Sequence, residues 1–540
     1  MSGFKGASKQ IAFALALISA VLGGVIWGRV SERSKANEQL KGLIYRFAGA
    51  SSNKISQTLS LIDSEYVDNV VLDSLADKVI PAILKELDPH STYIAASEMQ
   101  RVNEPLDGEF EGVGIVFNMA TDTIIVLNVI PSGPSDKAGV KSRDRIIMIG
   151  DSLVAGKKIP QSDVVKQLRG PRGSVVHLSL ERQGIDELVE VDVTRDVIPI
   201  KSIESAFMVN DSVGYVRMSQ FARSTHTELI HSVAKLRAEG MTKLMLDLRD
   251  NSGGFLDQAI LIANEFLPKG MLIVYTEDRD KTRMEEYSDG RGNFQDLTLQ
   301  VLINENSASS SEILAGAIQD NDRGTIIGRR SYGKGLVQRQ IPYSDGSALR
   351  LTIARYFTPT GRSIQKPYTM GDGDGYHHDL VARIEHNEMF SADSIQFVDS
   401  LKKVTPKGKV VYGGGGIMPD IFVPVDTTSV TKYFVEVSGR NVLYHYTIDY
   451  SDKNRDALAN IKSMEQLAAH WATEKNLLSD FVAYALRKGV EPVWDEINKS
   501  QKIIEAQIRA YVSRNTSLEE NGFYVNIFPV DDIVQRALGE

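Results

Sequence analysis

Apolar and polar positions change rhythm several times along the chain. Between residues 37 and 102 apolar side chains recur at helical spacing, Leu59 with Ile62, and Val79 with Ile83 and Leu87, each set on one face. LDPHSTYI (87–94) interrupts that pattern at Pro89. From 108 to 196 the period drops towards two in short runs, GIVFNM, TIIVLNVI, DRIIMIG, VVHLSLER and LVEVDVTR, divided by Gly, Pro and Asp turns. These runs predict a compact β-rich module. Strands and helices then alternate: VGYVRM, a helix over 227–239, KLMLDL, a Gly-rich turn, a helix from Phe255, QVLIN, a serine cluster, and the helix EILAGAIQD. Such alternation predicts an α/β core with functional loops at strand ends. After YGGGGIMPDIFVPV (412–425) helical spacing returns, as at Ile504, Ile508 and Tyr511, while GDGDGYHHD (371–379) reads as an exposed loop.

The expected fold class is mixed α/β and multidomain: a segment 1–36, a helical region 37–107, the β-rich module 108–196, an α/β core 197–428 and a helical region 429–540. The first segment stands apart. Lys5 and Lys9 precede the uncharged run IAFALALISAVLGGVIW (11–27), which Arg29, Arg33 and Lys35 close. That run is near the lower limit for crossing about 30 Å of hydrocarbon and longer than the core of an export signal. No clean small-x-small cleavage site follows Ala20, so it reads as an uncleaved anchor with Trp27 at the interface.

Composition narrows the chemistry. The formal charge is −9 with Lys and Arg dispersed, which offers no basic face to nucleic acid. The absence of cysteine excludes disulfides, a thiol nucleophile and thiolate metal sites, and suits an oxidising envelope compartment.

NENSASSSEILAGAIQD (304–320) crowds serines ahead of a buried-looking helix. Ser309, Ser310, Ser311 and Glu312 make a capping box, in which hydroxyl and carboxylate satisfy amides at the helix start. A hydroxyl there also faces unpaired N–H groups and the positive end of the helix dipole, where an oxyanion is stabilised. The stretch alone leaves both readings open.

A nucleophilic serine needs a base. None of the nine histidines lies beside a strand-end Gly turn, and G-x-S-x-G, H-E-x-x-H and the Walker A pattern are absent. SYGKGLVQ (331–338) offers Lys334 between two glycines, either as a surface turn lysine or, if buried against the serine helix, as a neutral amine. Lowering a lysine from about 10.4 to near 7.5 costs roughly 4 kcal/mol, within the reach of full burial. In an extended run Lys334, Leu336 and Gln338 face one side, so the Gln338 amide can orient the amine. LDLRDNSGGF (246–255) ends a strand in a turn at Gly253 and Gly254, which is either a plain tight turn or a pair of converging oxyanion donors.

Together the segments LDPHSTY, FEGVGI, PSGPSDKAGV, LRGPRGS, DLRDNSGG, NSASSSEILAGAIQD, GRRSYGKGLVQ, ARYFTPTGRSIQ and GGGGIMPDIFVP, in this order from 87 to 424, resemble the C-terminal processing peptidases. These tail-specific proteases are serine peptidases with a Ser-Lys dyad and a built-in PDZ domain. The resemblance implies Ser309 as nucleophile, Lys334, 25 positions later, as base, and Gln338 as its partner. It also implies oxyanion donors at Gly253 or Gly254 and at Ser310. The sequence departs from the family pattern at Ser310, where alanine is usual, at Ser252, where proline is common, and at Arg143, where the PDZ turn usually has a glycine able to supply positive φ.

The module 108–196 is then expected to be a PDZ domain, with Gly112, Val113, Gly114 and Ile115 presenting amides to a terminal carboxylate beside a strand that pairs with an extended peptide. Arg169 in LRGPRGS is a candidate regulatory link between peptide occupancy and the catalytic core, or a surface arginine. The resemblance implies a serine endopeptidase that binds protein C-terminal tails and cleaves them without metal or cofactor, in processing or degradation of envelope proteins. The expected place is the bacterial cell envelope, anchored to the inner membrane with the catalytic part in the periplasm. Peptide or protein substrates with exposed tails are the expected partners, with a homo-oligomer or an adaptor protein as further possibilities. A non-catalytic PDZ scaffold of the envelope is the alternative from another class, and a small-molecule Ser-Lys amidase or esterase is a third.

Overall fold

The structure, a computed structural model, describes residues 54–540 apart from the side chains of residues 120 and 121. The expected anchor at 11–27 lies outside the described residues, and among those described no helix is long and apolar enough to cross a membrane. The chain divides between Ile80 and Pro81 into two compact units. In the first, the helical periodicity is realised as Lys54–Glu65 and most of Leu72–Lys85.

The second unit carries the rest. The β-rich stretch forms strands Ile115–Thr121, Thr123–Val129, Arg145–Ile149, Val175–Glu181 and Val189–Thr194 in one antiparallel sheet, in that order, with Ser152–Leu153 paired to the third. The first of these strands is an edge strand. Val113, Ile124, Val126, Ile146, Leu178, Leu180 and Val193 form its core, joined by Val164 and Leu168 of the helix Gln161–Leu168. The chain enters and leaves this module through one antiparallel pair, Glu109–Gly112 with Asp196–Pro199. Arg143 keeps the positive φ expected of glycine, at 73°, and its guanidinium faces Asp452, Asp456 and Arg455 of the C-terminal helices.

The core is a six-stranded sheet in the order Ile203–Met208, Val213–Met218, Lys243–Asp247, Thr298–Ile303, Thr325–Gly328 and Ile421–Phe422. All pairs are parallel except the first. Alternate residues serve opposite faces, and both faces are buried, as a parallel sheet requires. Leu244, Leu246, Val301 and Ile303 pack under the helices Thr225–Ala238, Leu256–Phe266 and Ser310–Asp320. Tyr215, Met245 and Leu302 pack on Phe528, Ile533, Val534 and Ala537 from the C-terminal helices.

A second sheet joins Thr92–Ile94, Ala348–Phe357, Leu272–Asp278 and Arg283–Tyr287, with Leu336–Pro342 paired to Ala348–Phe357. The C-terminal region builds its own helical core, in which Ile504 and Ile508 of Trp494–Ser513 are buried with Phe481, Val490 and Ile497. One expectation is corrected. GDGDGYHHD is not simply an exposed loop, because it holds the short helix Gly373–His377 and buries Tyr376 against His90 and Tyr332.

Candidate active site

Parallel register brings three distant segments together. Lys243–Asp247, Thr298–Ile303 and Thr325–Gly328 are consecutive neighbours, so the loops leaving their C-terminal ends lie side by side. Those loops carry Gly253 and Gly254, Ser309, and Lys334. Hydrogen bonds stitch the first two loops: Ala308 N–H donates to the Asn251 carbonyl at 3.0 Å, the Ser311 hydroxyl donates to the same carbonyl at 2.8 Å, and Asn304 Nδ2 donates to Asp250 Oδ1 at 2.8 Å.

Ser309 is the N-cap of Ser310–Asp320 and shares a capping box with Glu312, so the helix-cap reading is realised at this residue. Its backbone is strained, with φ 56° and ψ −113°. A non-glycine residue in such a conformation costs on the order of 1–3 kcal/mol and persists only when its surroundings impose it. Two groups do so here. Glu312 accepts the N–H of Ser309 and of Lys334, each at 2.9 Å on Oε2, and the N–H of Gly333 at 2.7 Å and the Ser331 hydroxyl at 2.5 Å on Oε1. The Tyr356 hydroxyl meets the Ser309 carbonyl at 3.1 Å and also the Lys334 carbonyl. One carboxylate and one phenol therefore grip the backbones of Ser309 and Lys334 from both sides.

Electrostatics follow from burial. Glu312 is fully buried with no cation among those hydrogen-bond partners, and burial pushes its carboxyl up to about 7 against the pull of its four donors. Burial, then Arg350, pushes the Lys334 ammonium below the ordinary lysine range, while Glu312 and Asp88 oppose that shift. The direction is the one a lysine base needs.

In the turn that faces Ser309 the two glycines differ. Gly253 N–H donates to Asn251 Oδ1 at 2.9 Å, so its donor is already engaged. The Gly254 amide and the first helical amide, Ser310, make no hydrogen bond among the described residues, and the Ser310 hydroxyl is turned away onto the Gly254 carbonyl at 3.0 Å. Gly253 is needed for approach: a Cβ there would lie 2.8 Å from Ser309 Cβ and 2.9 Å from the Ala308 carbonyl, at φ 102°.

The alternation expected for Lys334, Leu336 and Gln338 does not hold. Lys334 precedes the strand, which starts at Leu336, and a bulge between Val337 and Gln338 shifts the register. Gln338 Nε2 donates to Thr352 Oγ1 at 3.2 Å.

Sequence reasoning missed Tyr356, whose hydroxyl role depends on contacts 47 and 22 residues away, and gave no place to Asp88 or His90. His90 comes to the site from LDPHSTYI, and burial followed by Lys334 pushes its imidazole down to about 4, so it is neutral beside the amine at pH 7. Among the described residues no group of three His, Asp or Glu side chains is placed to hold a metal ion.

In the module 108–196, Gly114 has φ 75° where a Cβ would meet Ile198 Cδ1 at 2.9 Å, while the Gly114 and Val113 carbonyls accept from Ile130 and Ser135. Gly112 ends the entry strand and Ile115 begins the edge strand, so this loop leads straight into the free edge. Arg169 caps the helix Gln161–Leu168, forms an ion pair with Glu104 of the helix Met99–Asp107, and lies 4.6 Å from the Phe110 ring centroid.

Three family models match the chain: peptidase family S41 over 212–373, the PDZ domain over 112–193, and a family of unknown function over 433–516. A carboxy-terminal-processing protease of Bartonella bacilliformis is 36% identical over 353 residues, 64% of this chain and 79% of that protein. A probable CtpA-like serine protease of Staphylococcus aureus is 32% identical over 330 residues, 61% of this chain and 65% of that protein. Among solved structures, a photosystem II D1 C-terminal processing protease overlaps 71% of this chain and 89% of its own at 25% identity and a TM-score of 0.38. The length and identity of the Bartonella match decide the assignment: the chain belongs to the carboxy-terminal-processing proteases of peptidase family S41, serine proteases, and carries a PDZ domain.

Proposed function

We propose that Ser309 is the nucleophile and Lys334 its general base in an endopeptidase that takes protein tails through the PDZ module. The observation that carries this reading is the shared grip of Glu312 and Tyr356 on the backbones of both residues, beside the open amides of Gly254 and Ser310. A bound tail adds a strand to the edge Ile115–Thr121, its carboxylate at the Gly112–Ile115 loop. A segment of the same chain upstream of the bound tail reaches Ser309. Neutral Lys334 takes the hydroxyl proton as Oγ attacks a peptide carbonyl, and the Gly254 and Ser310 amides receive the oxyanion. The lysine returns the proton to the leaving amine, and water, deprotonated in turn, releases the acyl group from Ser309.

Arg169, over the Phe110 ring of the module's own entry strand, joins the module to the helical region through Glu104, which supports a role in relaying tail occupancy. The apolar run at 11–27 and the lack of cysteine favour action on envelope proteins from an inner-membrane anchor, with the catalytic part in the periplasm. Ser309→Ala and Lys334→Ala test the dyad. Each should abolish hydrolysis of an unfolded polypeptide while leaving thermal unfolding near wild type, and only wild type should accumulate an acyl adduct at Ser309 by mass spectrometry. Turnover by Lys334→Ala at the wild-type rate would end the base assignment.

A further inference from the structure

We propose that Asp88, in the turn leading to the strand Thr92–Ile94, is a positioning residue for the base: its carboxylate orients the Gln338 amide through Thr352 and places a fixed negative charge beside Lys334. This rests on the Ser309–Lys334 reading above. Asp88 Oδ1 accepts from the N–H of His90 at 2.9 Å and of Ser91 at 3.0 Å and from the Thr352 hydroxyl at 3.0 Å, and Oδ2 accepts the Ser91 hydroxyl at 2.6 Å. The same Ser91 oxygen receives the Thr352 N–H at 3.1 Å, which ties the turn to the strand Ala348–Phe357. Thr352 stands directly opposite Gln338 in the antiparallel pair.

Hydrogen-bond polarity does the rest. An ionised carboxylate only accepts, so the Thr352 hydroxyl must give its proton to Asp88 and its oxygen must accept. What it accepts is Gln338 Nε2–H, at 3.2 Å. That choice fixes the amide, with Nε2 on threonine and the carbonyl Oε1 left as an acceptor, the end of glutamine that a lysine amine can hydrogen-bond. Without the carboxylate the threonine hydroxyl is free to reverse, and the amide loses its orientation.

The charge environment of Lys334 is specific. Arg350 faces it from the strand Ala348–Phe357, Glu312 from the serine helix, and Asp88 and His90 from this turn, with Lys366 and His377 beyond His90. Asp88 and Glu312 favour the ammonium, and Arg350 disfavours it. His90 is held neutral and contributes no charge near pH 7.

The test is the pH dependence of kcat/KM for hydrolysis of an unfolded polypeptide by the full chain. A lysine base is active when deprotonated, so the acid limb marks its titration. Asp88→Asn removes a charge that favours the ammonium, so the limb should move to lower pH, by roughly half a unit or more. The plateau should fall several-fold. Thr352→Val keeps the charge and breaks the relay: its limb should stay in place while its plateau falls towards that of Gln338→Ala. Adding Gln338→Ala to either variant should cost little more. A limb that Asp88→Asn leaves in place, or losses in Thr352→Val and Gln338→Ala that multiply, would overturn the proposal. If Asp88→Asn does not fold, the Thr352 and Gln338 cycle still decides the relay. Activity in Lys334→Ala would instead sink the dyad, a separate result.

Discussion

Glu312 has four hydrogen-bond donors aimed at two oxygens at a fully buried carboxylate, and each is spent on the geometry of Ser309 or Lys334. Glu312→Gln replaces one oxygen with an NH2 group that faces two of those donors. Buried donors left unpaired cost about 1–3 kcal/mol each, so the variant should lose roughly 2–5 kcal/mol in urea unfolding, and kcat should drop at least tenfold. The pH sign is fixed by the raised carboxyl. Its folded value, about 7, lies above the unfolded 4.5, so its contribution is fully present below about 4.5 and is lost as pH rises through 7. That loss is about 3 kcal/mol, which makes Glu312→Gln more destabilising at pH 5 than at pH 8. Arg350 offers a complementary test: it disfavours the Lys334 ammonium, so Arg350→Gln should move the acid limb of kcat/KM upward, by about half a unit.

The elements that build the site were legible because they are local. Period-two runs became the PDZ strands within a residue or two, and KLMLDL, QVLIN and EILAGAIQD became two neighbouring strands and the serine helix. Parallel order then set their loops side by side, which no local pattern encodes. The bulge at Val337 and Gln338 broke an alternation inferred from spacing alone, since an extra residue in one strand is invisible without its partner. Contacts from far along the chain were equally out of reach. Arg249, just before the Gly253–Gly254 turn, pairs with Asp247 at 2.6 Å and with both oxygens of Asp531 at 2.8 Å, 282 residues away. Burial pushes the Asp247 carboxyl up, but Arg249 and Arg217 outweigh it and hold the group at about 2. Asp531→Ala leaves Arg249 short of one partner in a largely buried cluster, so a loss of roughly 2–4 kcal/mol is expected in thermal unfolding. A lower kcat should accompany it, because the strand end that carries Gly253 and Gly254 loosens.

Across the whole molecule, polar side chains tie the PDZ module to its surroundings at several points, Arg143 and Arg145 beside Asp452 among them. Arg169 reaches Glu104, Asn118 Nδ2 reaches the Tyr444 hydroxyl at 2.8 Å, and Asn128 Nδ2 reaches Glu519 at 2.8 Å. Arg169→Ala should therefore spare hydrolysis of a tail-blocked unfolded polypeptide and reduce, several-fold, the advantage of the same polypeptide with a free C-terminus, measured as the ratio of the two kcat/KM values.

The pairing of Glu109–Gly112 with Asp196–Pro199 makes the PDZ unit a plug-in cassette. Its two leads leave the scaffold as neighbouring antiparallel strands, so residues 113–195 should be replaceable by an Asn-Gly hairpin turn without rethreading the catalytic half. If tails enter through this insert as proposed, exchanging it should change the selectivity for clients while leaving the scissile chemistry where it stands.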